Sequence, residues 1–221
     1  MNIVYLAGKA MGNNRPDLKQ IDLLSSKISE GFAYCKIITD EAGKPTDWVY
    51  LDVNDAYERI NGVKKEAVLG RKATEVLPNI DRDPADWLSF YGKVAATGEP
   101  IVAERFSTFR QKWYHISAYS PQKGYFVSIF EDITDRKKAE QELINAKADW
   151  ERTFNAVPDL IAVLDTQYKI VRANRAMTKL LGVAPEKAVG LLCYEKIHGT
   201  SNPPETCPHA QLLKDGKAHT T

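Results

Sequence analysis

Residues 113–141, WYHISAYSPQKGYFVSIFEDITDRKKAEQ, decide the fold because they pass abruptly from a strand pattern to a helix pattern. Residues 113–119 and 125–130 are rich in aromatic and β-branched side chains, and the Pro and Gly between them predict a turn. Asp132 or Thr134 can cap a helix, and the charged run that follows consists of strong helix formers. These residues therefore predict a β-hairpin whose last strand leads directly into an exit helix.

The chain before this hairpin predicts further strands with helices between them. The predicted elements are a flexible leader (1–16), a helix (17–30), strands (32–39 and 48–53), short helices after Asn54, a longer helix (83–96) and a strand (101–107). Two strands, several helices and then three strands give one antiparallel sheet with the helices grouped on one face. The expected fold class of this part is therefore α+β.

Composition excludes several classes of protein. The 221 residues leave room for one large or two ordinary domains, and a net charge of +1 with interspersed charges gives no support for nucleic-acid binding. No apolar run approaches the ~20 residues that cross a bilayer, and the first residues do not form a signal peptide. Three cysteines do not make a disulfide framework. We expect a cytoplasmic protein with reduced cysteines and no membrane segment.

An internal repeat indicates that one fold is encoded twice. The matched positions are Asn54, Ala56, Gly62, Val63, Glu66 and Gly70, which recur 120 positions later as Asn174, Ala176, Gly182, Val183, Glu186 and Gly190. The glycines suit helix ends or tight turns, so the match includes residues that begin helices and residues that end them. By the same offset the second copy would close near position ~252. We therefore expect this chain to be a piece of a longer protein.

The closing stretch resembles the C-terminal end of a PAS domain, in which two hairpin strands finish in an Asp-Ile-Thr motif before a charged linker helix. The matching residues are Trp113, Ser117, Pro121, Gly124, Asp132, Ile133, Thr134, Arg136 and Lys137. Residues 158–165 and 169–176 resemble the start of a second PAS domain.

The resemblance implies a PAS fold, which is a five-stranded antiparallel sheet with helices on one face. A linker helix and a second, truncated PAS-like domain are expected to follow it. The expected divisions are the leader (1–16), the first PAS domain (17–134), the linker helix (135–156) and the N-terminal part of the second PAS domain (157–221).

The linker helix carries an apolar pattern that allows two interpretations. Leu143, Ala146, Trp150, Phe154 and Val157 follow steps of three and four, which fit a heptad seam over about two heptads. Alternatively, its last aromatic residues pack on the second domain as that domain's own N-terminal helix. The family resemblance favours the first interpretation, because tandem PAS proteins commonly form homodimers through such helices.

The resemblance also implies a pocket between sheet and helices that takes an unknown small molecule. Candidate lining residues are the aromatics Phe32, Tyr34, Trp113 and Tyr125 and the strand histidine His115, although filling of the core is the simpler interpretation. The helix-rich half of this domain has no cysteine and its long helix has no histidine. Both features disfavour the flavin and haem of related PAS domains, so the cofactor stays unknown.

A second group of reactive side chains lies in the second copy. Cys193, His198, Cys207 and His209 fall within seventeen positions, in a segment broken by Gly and Pro. Thiolates and imidazoles suit zinc or another borderline-soft metal, and two cysteines suit a redox pair. The spacing is not that of a standard zinc finger, and a purely structural role is the simpler interpretation.

No active-site motif of an enzyme is present in the sequence. The resemblance therefore implies a dimerising sensory module, in which Asp132, Ile133 and Thr134 relay a ligand or redox signal into the linker helix. The output domain it implies is a histidine kinase of a two-component system. A redox or metal sensor built on the second group, and a ligand-free dimerisation scaffold, are the alternatives.

Overall fold

The computed structural model describes residues 29–220 of the chain. The predicted leader and nearly all of the predicted helix at 17–30 lie outside these residues, and Ser29 and Glu30 form a bend. The chain divides into two compact units, one that runs to Ala139 and one that begins at Glu140. Each unit is described by itself.

The first unit is built on one five-stranded antiparallel sheet, which confirms the predicted architecture. The strand order is β2-β1-β5-β4-β3, so the first and last strands of the unit pair with each other inside the sheet. The strands are β1 (Gly31–Thr39), β2 (Pro45–Val53), β3 (Ile101–Ser107), β4 (Lys112–Tyr119) and β5 (Tyr125–Asp132).

The helices of this unit pack on one face of the sheet, where the buried core lies. Because side chains alternate along a strand, this face receives Cys35, Trp48, Ile116 and Phe126, all of them almost fully buried. The helices are α1 (Asp55–Asn61), α2 (Lys65–Val68), α3 (Ala73–Val76), a short 3-10 helix (Ile80–Arg82) and α4 (Trp87–Thr97).

Asn54 joins the sheet to the first helix. Its Oδ1 accepts hydrogen bonds from the Tyr57 amide at 2.8 Å and the Phe32 amide at 2.9 Å, and its Nδ2 donates to the Glu30 carbonyl at 3.0 Å. The side chain thus caps α1 and fixes the start of β1 at the same time. The helix ends at Gly62, whose φ of 67° is in the left-handed region that glycine tolerates.

Two predicted boundaries in this unit are wrong by a few residues. The second strand begins at Pro45 rather than at 48, because β2 is an edge strand and proline is tolerated as its first residue. The long helix begins at Trp87 rather than at 83. The Asp83 carboxylate accepts instead from Ser107, so Asp86 becomes the cap.

A long helix, α5 (Thr134–Ala156), follows β5 without an intervening loop. None of its 23 residues is buried, and Leu143 and Ile144 are 72% and 59% exposed. No helix within residues 29–220 combines the length and apolar character that crossing a bilayer would require.

The second unit contains a two-stranded hairpin and four short helices in its described residues. Asn174 repeats the role of Asn54, because its Oδ1 accepts from the Met177 amide at 3.0 Å and the Ile161 amide at 3.1 Å. Its Nδ2 donates to the carbonyls of Val157 and Asp159. The elements are β6 (Ala162–Leu164), β7 (Ile170–Ala173), α6 (Arg175–Leu181), α7 (Pro185–Ala188), α8 (Cys193–His198) and α9 (Pro208–Asp215).

β6 is shorter than the strand predicted at 158–165, and β7 is shifted by one residue from the strand predicted at 169–172. Asn174 provides the reason, since its amide binds backbone carbonyls that the longer first strand would have used in its ladder.

Candidate functional site

A cavity lies between the helix-covered face of the first unit's sheet and the helices above it. The space open to the centres of water molecules is about 80 Å³. One water needs about 10–15 Å³ on this measure, so the cavity has room for a single small molecule. It reaches the surface at Phe109, which lines it and is 44% exposed.

Aromatic rings form the apolar wall of the cavity. Tyr91 of α4 and Phe126 of β5 stack with their ring centroids 4.4 Å apart, and Trp48 of β2 meets both rings edge-on at 5.3 and 5.8 Å. The Tyr91 hydroxyl is satisfied by the Ser128 hydroxyl at 3.0 Å. This wall is therefore a rigid stacking surface with its polar group already paired.

Three buried polar atoms of the lining make no hydrogen bond of normal geometry among the described residues. They are Trp48 Nε1, Tyr57 Oη and Tyr114 Oη, on side chains that are 2%, 3% and 6% exposed. Tyr57 and Tyr114 flank Phe130, each with its ring 5.8 Å away and edge-on. The Tyr50 hydroxyl lies near two of them, on Trp48 and Tyr57. Buried polar groups in proteins are nearly always paired, so the Tyr114 hydroxyl, which has no such neighbour, is the group best placed to bind a ligand.

The turn between β3 and β4 brings a cation to the cavity. Arg110 lines the cavity, and its Nη1 donates to the Asn61 carbonyl at the end of α1 at 2.7 Å. Its guanidinium keeps further donors, since arginine carries five N–H groups. The neighbouring Lys112 also reaches α1, donating to the Ile60 carbonyl at 3.3 Å.

The carboxylate of Asp83 also lines the cavity, but it is already occupied. It accepts from the Ser107 hydroxyl at 2.8 Å and from the Ala85 amide at 3.0 Å. Burial acts to raise the pKa of Asp83, and these hydrogen bonds outweigh that effect and lower it below its ordinary value. Asp83 is therefore an ionised structural group that holds the turn in place.

The two unpaired hydroxyls stay protonated at neutral pH. Burial raises the pKa of Tyr114 to about 12 and raises that of Tyr57 as well, while the nearby positive charge of Arg110 partly offsets both shifts. Protonated hydroxyls beside a guanidinium are hydrogen-bond donors, so this corner of the cavity suits an acceptor with negative charge.

None of the five residues predicted for the pocket lines this cavity. Their immediate neighbours in the strands line it instead, for example Ala33 and Cys35 beside Tyr34, and Tyr114 beside Trp113. Because strand side chains alternate between faces, the five predicted residues lie on the face of the sheet away from this cavity. On the other face lie Phe32, Tyr34, Trp113, His115 and Tyr125, of which Phe32 is buried and the rest are half-buried.

The Asp-Ile-Thr motif fastens the start of α5 to the sheet. Asp132 Oδ1 accepts from the Thr134 amide at 3.0 Å and its hydroxyl at 2.5 Å, and its other oxygen pairs with Lys112 at 2.8 Å. The Trp113 amide donates to the Thr134 hydroxyl, and the Ile133 amide donates to the Trp113 carbonyl, both at 2.9 Å. The helix is thus bound to β4 as well as continuous with β5.

Glu104 on β3 extends this joint, and sequence reasoning missed it. Its two carboxylate oxygens pair with Arg136 at 2.7 Å and Lys137 at 2.5 Å, in the first turn of α5. Hydrogen bonds from Lys137 and Arg136 lower the pKa of Glu104 to about 2. The only signal in the sequence was that Glu104 faces outward on its strand. That signal becomes useful only once the sheet order shows that this strand lies beside β4.

The four Cys and His residues of the second unit do not assemble into a metal site. Cys193 and Cys207 are free and buried, whereas His198 is exposed and His209 Nε2 lies 2.9 Å from the Asp165 carbonyl oxygen. No three metal-ligating side chains lie together anywhere in residues 29–220. Burial and the neighbouring Cys207 raise the pKa of Cys193, which disfavours its reactive thiolate.

These features define an α+β domain with a small internal cavity and an exit helix tied to the same sheet. The family model described as "PAS fold" matches residues 44–138 and 154–221, which is well over half of the chain. The chain therefore belongs to the PAS family, whose domains are typically sensory rather than catalytic.

Comparison with solved structures finds PAS and related domains. The PAS domain of Bordetella pertussis BvgS is 25% identical, over 60% of this chain and 97% of that chain, with a TM-score of 0.39. A domain of a Geobacter sulfurreducens sensory box sensor histidine kinase/response regulator is 20% identical, over 54% of this chain and 100% of that chain, with a TM-score of 0.39. A domain of an HTR-like protein from Haloarcula marismortui is 16% identical, over 48% of this chain and 100% of that chain, with a TM-score of 0.36.

None of the curated proteins matches the chain in sequence at a significant level. Since every TM-score above is below 0.5, the family assignment rests on the family model.

Proposed function

We propose that the first unit is a cytoplasmic PAS sensor that binds a small molecule in its cavity and passes the occupancy of that cavity to α5. The observation that carries this proposal is the position of β5. Phe126, Ser128 and Phe130 of this strand line the cavity, and Asp132 at its end holds the start of α5. A ligand that repacks the strand would therefore act directly on the joint.

The proposed mechanism is a shift between two arrangements of the joint. A ligand changes their populations only by as much as its affinity differs between them. Asp132, Ile133 and Thr134 form the relay, together with the ion pairs of Glu104. No proton transfer or covalent step is needed, in keeping with a sensory rather than catalytic role.

We propose that residues 17–134 form this sensor, 135–156 its linker helix and 157–221 the beginning of a second PAS domain. The equivalent bonds of Asn54 and Asn174 support the assignment of the second copy. So does the match of one family model to both parts. The output domain we propose is a histidine kinase, on the resemblance of the Asp-Ile-Thr joint to sensor kinases of two-component systems.

We also propose that α5 joins two copies of the chain in a parallel homodimer. Support comes from its Leu143 and Ala146, which lie exposed on the predicted seam. The end of α5 also contacts other elements of the second unit, since Arg172 lies 4.5 Å from the ring of the seam residue Trp150 and the Arg175 amide donates to Asn155. The proposed seam is therefore centred on the first half of the helix.

A redox role for Cys193 and Cys207 is the second candidate. Both cysteines are free and buried, and an interaction with Cys207 contributes to the raised pKa of Cys193. The same raised pKa lowers the fraction of Cys193 that is present as thiolate. Its reaction with an oxidant and its thiol–disulfide exchange should therefore both be slow. Thiol titration and replacement of both residues by Ser would test it, and an unchanged response to oxidant would exclude it.

A thermal-shift screen of small metabolites on the full chain tests the main proposal. We expect at least one compound to raise the melting temperature of wild type and to lose its effect when the cavity is narrowed by Ala33→Leu or Ile116→Phe. The matched control is Val102→Leu, at an exposed position of β3. A panel of neutral, anionic and cationic compounds without any cavity-dependent binder would contradict ligand sensing and favour the ligand-free scaffold.

A further inference from the structure

We propose that the ligand of this cavity is a small carboxylic acid with a flat apolar body, bound with its carboxylate against Tyr57, Tyr114 and Arg110. This inference rests on the proposed sensory function and adds the chemical class of the ligand. No other part of the described chain combines unpaired buried donors, a cation and an enclosed aromatic wall in one place.

The unpaired donors of the cavity wall would bind a ligand that supplies a hydrogen-bond acceptor. The Tyr114 hydroxyl has no partner to accept its proton among the described residues. Trp48 Nε1, which can only donate, and the Tyr57 hydroxyl have the Tyr50 hydroxyl as a neighbour but form no hydrogen bond of normal geometry. A buried donor without a partner costs stability, and a ligand that accepts from it removes that cost. A carboxylate has two oxygens and about four lone-pair directions, which is enough for both hydroxyls and a guanidinium.

The charge at this corner favours an anion over a neutral acceptor. Arg110 acts on both hydroxyls, since its positive charge opposes the effect of burial on their acidity. Arginine is the residue that best matches the planar geometry of a carboxylate. Hydrogen bonds between ionised partners are roughly twice as strong as those between neutral ones.

Two carboxylates near the site are each held by donors of their own. Asp83 is held by Ser107 and Ala85, and a further contact comes from the Phe109 amide at 3.5 Å. Asp132 is held by Lys112 and Thr134. The negative charge of Asp132 still acts on the Tyr114 hydroxyl, but the opposing positive charge of Arg110 acts on it more strongly.

The apolar part of the cavity sets the body of the ligand. The stacked pair Tyr91 and Phe126, with Trp48 edge-on, makes this part of the lining aromatic. Because only about 80 Å³ is open to water-sized groups, the body is limited to a single ring or a short chain. Benzoate is the smallest common molecule that carries both features, and benzamide is its neutral counterpart of the same shape.

Calorimetric titration of the full chain with benzoate and with benzamide tests the inference. We expect benzoate to bind at least about tenfold more tightly, as one charge-assisted contact would give. Arg110→Gln should remove this preference by weakening benzoate about tenfold or more while leaving benzamide unchanged. Melting curves of the unliganded variant confirm that it is folded.

Tyr114→Phe separates a binding role from a structural one. Removing an unpaired buried hydroxyl should leave the melting temperature of the free protein unchanged or higher, yet lower the affinity for benzoate about tenfold. Tyr119→Phe is the matched control, because Tyr119 lies on the same strand but on the opposite face and should change neither quantity.

Equal affinity for benzamide, an unchanged preference in Arg110→Gln, or no binding of benzoate would each overturn the inference. The sensory proposal would survive such a result if the screen yields a neutral or cationic compound whose binding depends on Ala33. It would fail only if compounds of every charge were inactive, so the two proposals fail on different observations.

Discussion

Glu104 is the residue on which two cations of the exit helix converge. Its pKa is lowered to about 2 from an ordinary 4.5, so it is more acidic in the folded protein than in the unfolded chain. A carboxylate with a lowered folded pKa stabilises the fold fully above its unfolded pKa. That stabilisation is lost as the pH falls from about 4.5 towards 2.

The corresponding prediction is a titration midpoint near 2 for the Glu104 carboxyl, measured by carbon-13 NMR at low salt. In Lys137→Gln the midpoint should move up towards 4.5, because the strongest hydrogen bond to the carboxylate is lost. High salt should also raise the midpoint of Glu104, because it screens the attraction between this exposed carboxylate and the two cations. A wild-type midpoint close to 4.5 would show that the ion pairs do not form in solution.

Single residues also show what the sequence could predict. Asn54 and Asn174 were predictable as caps, because capping depends on residues three positions away and on a glycine at the helix end. Tyr57, Tyr114 and Arg110 were not, because their shared corner exists only after the turn between β3 and β4 meets α1. The Arg110 bond to Asn61 spans 49 positions, and nothing local in the sequence encodes it.

At the scale of elements, α4 packs so closely on β2 that one glycine is required there. A Cβ added to Gly92 would lie 2.1 Å from Cγ of Pro45, far closer than two carbon atoms can approach. Replacing glycine by alanine in a helix normally stabilises it by about 1 kcal/mol. Here the clash should win, since overpacking a core costs about 1–3 kcal/mol.

We therefore expect Gly92→Ala to lower the free energy of unfolding, measured by urea denaturation of the full chain. Ala96→Gly on the exposed side of the same helix is the control, and should cost only about 1 kcal/mol through helix propensity. A Gly92→Ala protein more stable than wild type would show that α4 does not pack against Pro45.

The positions of the helices and strands could be predicted closely from the pattern of the sequence. Which face of each strand lines the cavity could not. The alternation along residues 113–119 defines two faces, and both are apolar enough to be buried. Trp113 and His115 are half-buried on one face, and Tyr114 and Ile116 are buried on the other. Only the helices that pack on the sheet decide which face lines the cavity.

At the scale of the whole molecule, the proposed dimer depends on which side of α5 is apolar. Leu143 lies on the predicted seam, and its neighbour Ile144 is also exposed but lies off it. Leu143→Glu should therefore dissociate the dimer at micromolar concentration, measured by light scattering coupled to size exclusion. Ile144→Glu, with the same change of charge, should leave the dimer intact. Equal effects of both variants would contradict the seam.

The coupling between cavity and exit helix is the central claim, and hydrogen exchange over residues 125–141 tests it most directly. Exchange is compared with and without the tightest ligand from the screen, in wild type and in Asp132→Ala. In wild type we predict slower exchange in β5 and in the first two turns of α5. In Asp132→Ala, which loses about 1–3 kcal/mol of bonding at the joint, the ligand should still protect β5 but no longer α5. A wild-type protein in which the ligand protects β5 and leaves α5 unchanged would contradict the account.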